Sequence, residues 1–155
     1  MIKINKIIIV ICIFNLLGCG YQPIFYNSDF NFSIENIEQT GSRKVNSILI
    51  DKIRNIKKGK SLTYDLKLSS ILEKKTISKD KSGDPSKFEI SIITSFEVFN
   101  SKNNRVLFRE ISRKLNYDNK SDNFELSRYE DLVTENLSTT IAEEIFSLLA
   151  NLNSL

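Results

Sequence analysis

Chemistry in this 155-residue chain begins at a thiol, Cys19, which closes the run Ile7–Leu17 and Gly18. Lys3 and Lys6 stand ahead of that run, which is about 11 apolar residues long. A positive start, an apolar middle and a small residue before the cut make the layout of a removable export signal. A bilayer core needs about 20 apolar residues, so the run is too short for a permanent span. A second group of reactive types is cationic: Lys79, Lys81, Lys87, Lys120 and Arg128. Lysine offers a point charge and arginine a planar fork, and both suit phosphate or carboxylate. Asp80, Asp84, Asp118, Asp122 and Glu125 are interspersed with them, so solvated loops of mixed charge are the competing reading. The chain has no histidine, which removes the commonest general base and metal ligand. It also lacks GxSxG, HExxH, CxxC and a phosphate-cradling glycine loop, so an enzyme is not expected.

The tetrapeptide Leu16-Leu17-Gly18-Cys19 resembles the bacterial lipobox. The resemblance implies cleavage before Cys19, a diacylglycerol thioether on its sulfur and an acyl chain on its new amino group, with no other cofactor. Gly20 stands where an aspartate often retains lipoproteins in the inner membrane, which points to the outer membrane. The expected organisation is a signal peptide over 1–18, a lipidated tether over 19–29 and a single domain over 30–155. Tyr21, Phe25 and Tyr26 could lie at the lipid interface or pack on the domain. Cleavage removes Cys12, and lipid blocks Cys19, so no disulfide can form within one mature chain. Without Lys3 and Lys6 the balance is 22 − 2 = 20 basic against 19 acidic side chains, a net charge of +1. A nearly neutral exported domain conflicts with nucleic-acid binding.

These residues must be positioned by elements legible in the pattern. Phe30, Phe32 and Ile34 alternate with polar residues, predicting a first strand from about Asp29 to Glu38. Ser42 opens a helix whose stripe is Val45, Ile48, Leu49, Ile53 and Ile56, with Ile50 off the stripe. Leu62, Tyr64, Leu66 and Leu68 start a second strand, with a bulge expected where the alternation slips at Ser69–Leu72. Residues 79–87 form a polar loop, and Phe88, Ile90, Ile92, Phe96 and Val98 share one face of a third strand. After a hairpin at Ser101–Asn104, a fourth strand spans Val106–Tyr117, where a bulge near Arg109-Glu110 would bring its two apolar sets into one phase. Ser127-Arg128-Tyr129-Glu130 reads as a capping box. The helix it starts, Arg128 to about Leu152, carries Tyr129, Val133, Leu137, Ile141, Ile145, Leu148 and Leu152 on one stripe.

The order β-α-β-β-β-α implies an α+β fold, a four-stranded mixed sheet with two helices on one face. The first two strands are then parallel and the rest an antiparallel meander. The other sheet face combines Thr63, Asp65, Lys67, Glu89, Ser91 and Glu97 with Ile93 and Phe99, so it could be a docking surface. The same topology brings the loop 79–87 and the segment 117–128 to one pole.

Signal, tether and element order together resemble the lipopolysaccharide-assembly lipoprotein family. The local match is Cys19-Gly20-Tyr21-Gln22-Pro23-Ile24-Phe25-Tyr26, followed at the other end by the terminal helix LVTENLSTTIAEEIFSLLANL. The resemblance implies a lipid-anchored protein on the periplasmic face of the cell outer membrane. It would partner and plug a β-barrel translocon and bind lipopolysaccharide on its way to the surface. Lys79 and Arg128 fall where the family places basic residues that contact lipopolysaccharide. A scaffold lipoprotein of another envelope machine, such as one inserting barrels, is the competing reading.

Overall fold

A computed structural model of the chain describes residues 32–54 and 62–152. The expected signal peptide, Cys19, the tether, Phe30 and Ile56 lie outside the described residues. Six elements follow one another: β1 Phe32–Gly41, α1 Arg43–Arg54, β2 Leu62–Lys79, β3 Pro85–Asn100, β4 Arg105–Asp118 and α2 Asn123–Leu152. The strands form one mixed sheet in the order β1-β2-β3-β4. β1 runs parallel to β2, and β2, β3 and β4 are successively antiparallel. The α+β fold and its element order are therefore as the sequence implies.

Both helices bury their apolar stripes on one face of the sheet. Leu66, Leu68, Ile92, Phe96, Val98 and Ile111 meet Val45, Leu49 and Ile53 of α1 and Ile141, Ile145 and Leu149 of α2. Each such side chain contributes about 1.5–3 kcal/mol on leaving water. Ile50, expected off the stripe, is buried in this core as well. Phe32 lies 6.3 Å from both Tyr64 and Phe146, which ties the start of β1 to the end of α2.

Several boundaries and irregularities differ from expectation. β1 reaches Gly41 rather than Glu38 and has a register shift between Ile34 and Ile37. There the Asn36 backbone N–H and side-chain amide both donate to Asp65 Oδ1, at 3.2 and 2.8 Å. β2 has no bulge at Ser69–Leu72; its ladder with β3 runs unbroken from Tyr64 to Thr76. What broke the apolar alternation is a buried polar contact. Ser70 donates to Asn46 Oδ1 at 2.6 Å, and Asn46 donates in turn to the Thr40 carbonyl at 2.8 Å. β4 likewise has no bulge near Arg109-Glu110. Phe108 lies on the outer face and Ile111 and Tyr117 on the helix face by plain alternation, and the shift between Val98 and Phe99 leaves Val106 without a partner in the ladder.

The turn into α1 depends on Gly41, whose φ is +85°. A Cβ there would lie 2.0 Å from the Ser70 carbonyl oxygen, the same oxygen that accepts from the Ser42 N–H at 2.8 Å. The backbones approach because the side chain is absent. Gly41→Ala is therefore expected to cost about 3 kcal/mol, from the left-handed backbone and the clash together. Urea unfolding of the variant checks this; an unchanged midpoint would refute the close approach.

Candidate functional site: a cationic pole

The far end of the sheet is built from the β2–β3 turn and the β4–α2 connection. Asp80 organises the turn: its Oδ1 accepts the Ser82 and Asp84 N–H groups at 2.9 Å, and Gly83 takes φ +91°. Asn119 joins the two segments, donating its backbone N–H to the Ser86 carbonyl and its side-chain amide to the Pro85 carbonyl, both at 2.8 Å. Lys87 Nζ lies 3.2 Å from Asp118 Oδ1 across the same junction. The expected meeting of the two segments is thus realised in the fold.

α2 begins one turn earlier than the sequence reading placed it. Its cap is Asp122, whose Oδ1 accepts the N–H groups of Phe124 at 2.7 Å and Glu125 at 3.2 Å. The Ser127–Glu130 pattern lies inside the helix and is not its cap. Glu130 serves elsewhere: its Oε1 accepts from Tyr117 OH at 2.8 Å and pairs with Lys74 Nζ at 2.6 Å. Burial, reinforced by the Glu130 carboxylate, pushes the Tyr117 hydroxyl well above the usual tyrosine range. Phe88, Tyr117 and Tyr129 stack in sequence with ring centroids 5.7 and 5.5 Å apart. Cations cover both ends of this stack, Lys74 Nζ 4.3 Å from the Phe88 ring and Lys120 Nζ 4.9 Å from the Tyr129 ring. The stack fixes the first turns of α2 to the sheet and sets the direction of the residues they carry.

The sequence-predicted pair divides between the two segments. Lys79 ends β2 opposite Pro85 and is exposed. Arg128 is exposed on α2, five residues or about 7.5 Å along its axis from Asn123. Lys81 is exposed at the turn between β2 and β3. Two residues that the sequence reading passed over flank Arg128 at helical spacing: Phe124, 75% exposed, and Leu132, 51% exposed. Their signal in the sequence was apolar character off the buried stripe of α2. The pole therefore offers exposed cations and exposed apolar side chains together, a combination suited to an anionic amphiphile.

The outer sheet face is covered mostly by paired charges. Lys67 meets Glu38 at 2.9 Å, Lys75 meets Glu73 at 2.8 Å, Arg105 meets Glu97 at 3.4 Å and Lys114 meets Glu89 at 3.5 Å. Ile71 and Phe108 interrupt it as exposed apolar side chains. At least one partner of each pair is solvent-exposed, so these ion pairs contribute little to stability.

The chain enters the domain at the opposite end from the pole. Phe32 is level with Leu62, and Lys79 lies seventeen residues beyond Leu62 on β2, about 55 Å at the rise of a strand.

Solved structures share this fold. Rare lipoprotein B from Shewanella oneidensis superposes with a TM-score of 0.59 at 16% identity, covering 77% of this chain and 97% of that one. A putative lipoprotein from Caulobacter crescentus gives 0.54 at 15% identity, covering 76% and 90%. Lipoprotein B from Nitrosomonas europaea gives 0.54 at 14% identity, covering 87% and 93%. No curated protein matches the sequence. The family described as LptE, Lipopolysaccharide-assembly, matches residues 31–149. On that match, which takes in every described strand and all but the last turn of α2, the chain belongs to the LptE family of lipopolysaccharide-assembly lipoproteins.

Proposed function

We propose that this chain is cleaved before Cys19, acylated there, and held on the periplasmic face of the outer membrane. In that place it partners and plugs a β-barrel translocon and takes part in moving lipopolysaccharide to the surface. The role is one of binding and assembly, with no bond made or broken by the protein. The observation that carries the reading is the polarity of the domain. Chain entry lies at one end, the cations Lys79 and Lys81 lie at the other, and the first turns of α2 carry Arg128 between Phe124 and Leu132. Phe32 lies thirteen residues after Cys19, a tether of at most about 45 Å. A domain moored at Cys19 can therefore stand with its cationic pole directed away from the anchoring leaflet.

On this reading Lys79 and Arg128 contact the phosphates of lipopolysaccharide, and Phe124 and Leu132 offer apolar surface beside them. The outer sheet face, polar and laced with ion pairs, suits contact with the polar interior of a barrel. Depleting the chain from cells tests the proposal. The amount of correctly folded translocon barrel, followed by its heat-modifiable migration, is expected to fall. An unchanged barrel level would refute the partnership.

A further inference from the structure

The sheet has two edges, and they are finished differently. β1 is irregular, with its register shift between Ile34 and Ile37, and such a bulge disfavours pairing with another strand. β4 is long and regular, its ladder to β3 unbroken from Leu107 to Asp118. Its orientation follows from one hydrogen bond. Asn119 N–H donates to the Ser86 carbonyl, so the pair Asn119–Ser86 belongs to the hydrogen-bonded set. In an antiparallel ladder that set recurs at every second residue. The odd residues of β4 therefore direct their backbone groups to β3, and the even residues, Phe108 to Asn116, direct theirs outward. Apolar side chains border this open edge: Val106 is 41% exposed, Phe108 46% and Leu115 38%. A long, regular edge with such neighbours is a template for strand addition.

Two guanidinium groups occupy it. Arg109 Nη1 donates to the Phe108 carbonyl at 2.9 Å, and Arg113 Nη1 donates to the Ser112 carbonyl at 2.8 Å. Both carbonyls are even-numbered and so face outward. The arginines are four residues apart on the helix-facing side of β4, and each curls round the edge onto the preceding carbonyl. Arg113 is also held from the helix side, because its Nη2 bonds Glu144 of α2. An incoming strand would have to displace both groups, and with them two positive charges set along its path.

We infer that Arg109 and Arg113 close the β4 edge against a strand from a second copy of this chain. The inference is independent of the ligand at the pole. It is tested on the full chain in detergent, separated from membrane and partner proteins, by sedimentation equilibrium over a wide concentration range. The unaltered chain stays monomeric. Arg109→Ala/Arg113→Ala is expected to self-associate, with a dissociation constant at least about tenfold lower. Adding Ser112→Pro, which removes an outward N–H at the same edge, is expected to restore the monomer. Arg109→Ala alone leaves the Arg113–Glu144 contact intact and gives the same direction of change should the double variant unfold. A monomeric, cooperatively folded arginine variant would overturn the inference. Self-association that Ser112→Pro leaves unchanged would overturn it too, since the contact would lie elsewhere.

Discussion

Replacing Cys19 with alanine is expected to abolish lipid anchoring while leaving the domain folded. The thiol is the point at which the proposed diacylglycerol is bonded, and alanine offers no nucleophile for it. Stable anchoring takes at least two acyl chains, because one chain alone binds reversibly. No helix among the described residues is long and apolar enough to cross a membrane, so none of them replaces the anchor as a span. The variant should appear as a soluble or uncleaved species, with palmitate uptake reduced at least about tenfold. The folded core is distant from this change in sequence, since β1 begins at Phe32. Fractionation and labelling with palmitate provide the measurement. A Cys19→Ala chain that still takes up palmitate would contradict the proposal.

The second large effect is expected from reversing charge at the pole. Lys79→Glu with Arg128→Glu replaces two exposed cations with anions at the end of the sheet distant from chain entry. Exposed contacts contribute up to about 1 kcal/mol each, and the new repulsion adds to their loss. A total of about 2 kcal/mol corresponds to roughly 30-fold weaker lipopolysaccharide binding. The effect should persist at about 150 mM salt, where a Debye length of about 8 Å screens remote charges but not direct contacts. Both side chains are exposed and neither is part of the core, so the unfolding free energy should stay within about 0.5 kcal/mol of the original. Unchanged lipopolysaccharide binding by the double variant would remove these residues from the site.

How the sequence and the structure relate is clearest at three places. Strand alternation and helical stripes were enough for the element order, because a half-buried strand and an amphipathic helix impose different apolar periods. The buried Ser70 defeated the alternation rule locally. Its environment is polar for a tertiary reason, the Asn46 amide arriving from α1, which no local window contains. β4 looked out of phase because both its faces carry apolar residues. A strand at the edge of a sheet can expose Phe108 on one side and bury Ile111 and Tyr117 on the other.

The start of α2 differs from expectation because two successive patterns fit a cap, Asp122-x-x-Glu125 and Ser127-x-x-Glu130. The exposed Phe124 concealed the earlier one by lying off the buried stripe. The meeting of the loop 79–87 with the segment 117–128 was legible, because antiparallel order alone brings those ends together. Lys74 was not. It follows Leu68, Ser70 and Leu72 on the helix-facing side of β2, where an apolar residue is the rule. Its charge is accommodated by Glu130 and by the face of Phe88.

We propose above all that this lipoprotein works in partnership with a lipopolysaccharide-translocating barrel. Isolating the native chain from outer membranes in mild detergent and identifying its companions by mass tests that most directly. The expected result is one large β-barrel in stable proportion to the chain, with lipopolysaccharide in the same complex. Recovery with the barrel of a barrel-inserting machine, or with no barrel at all, would contradict it.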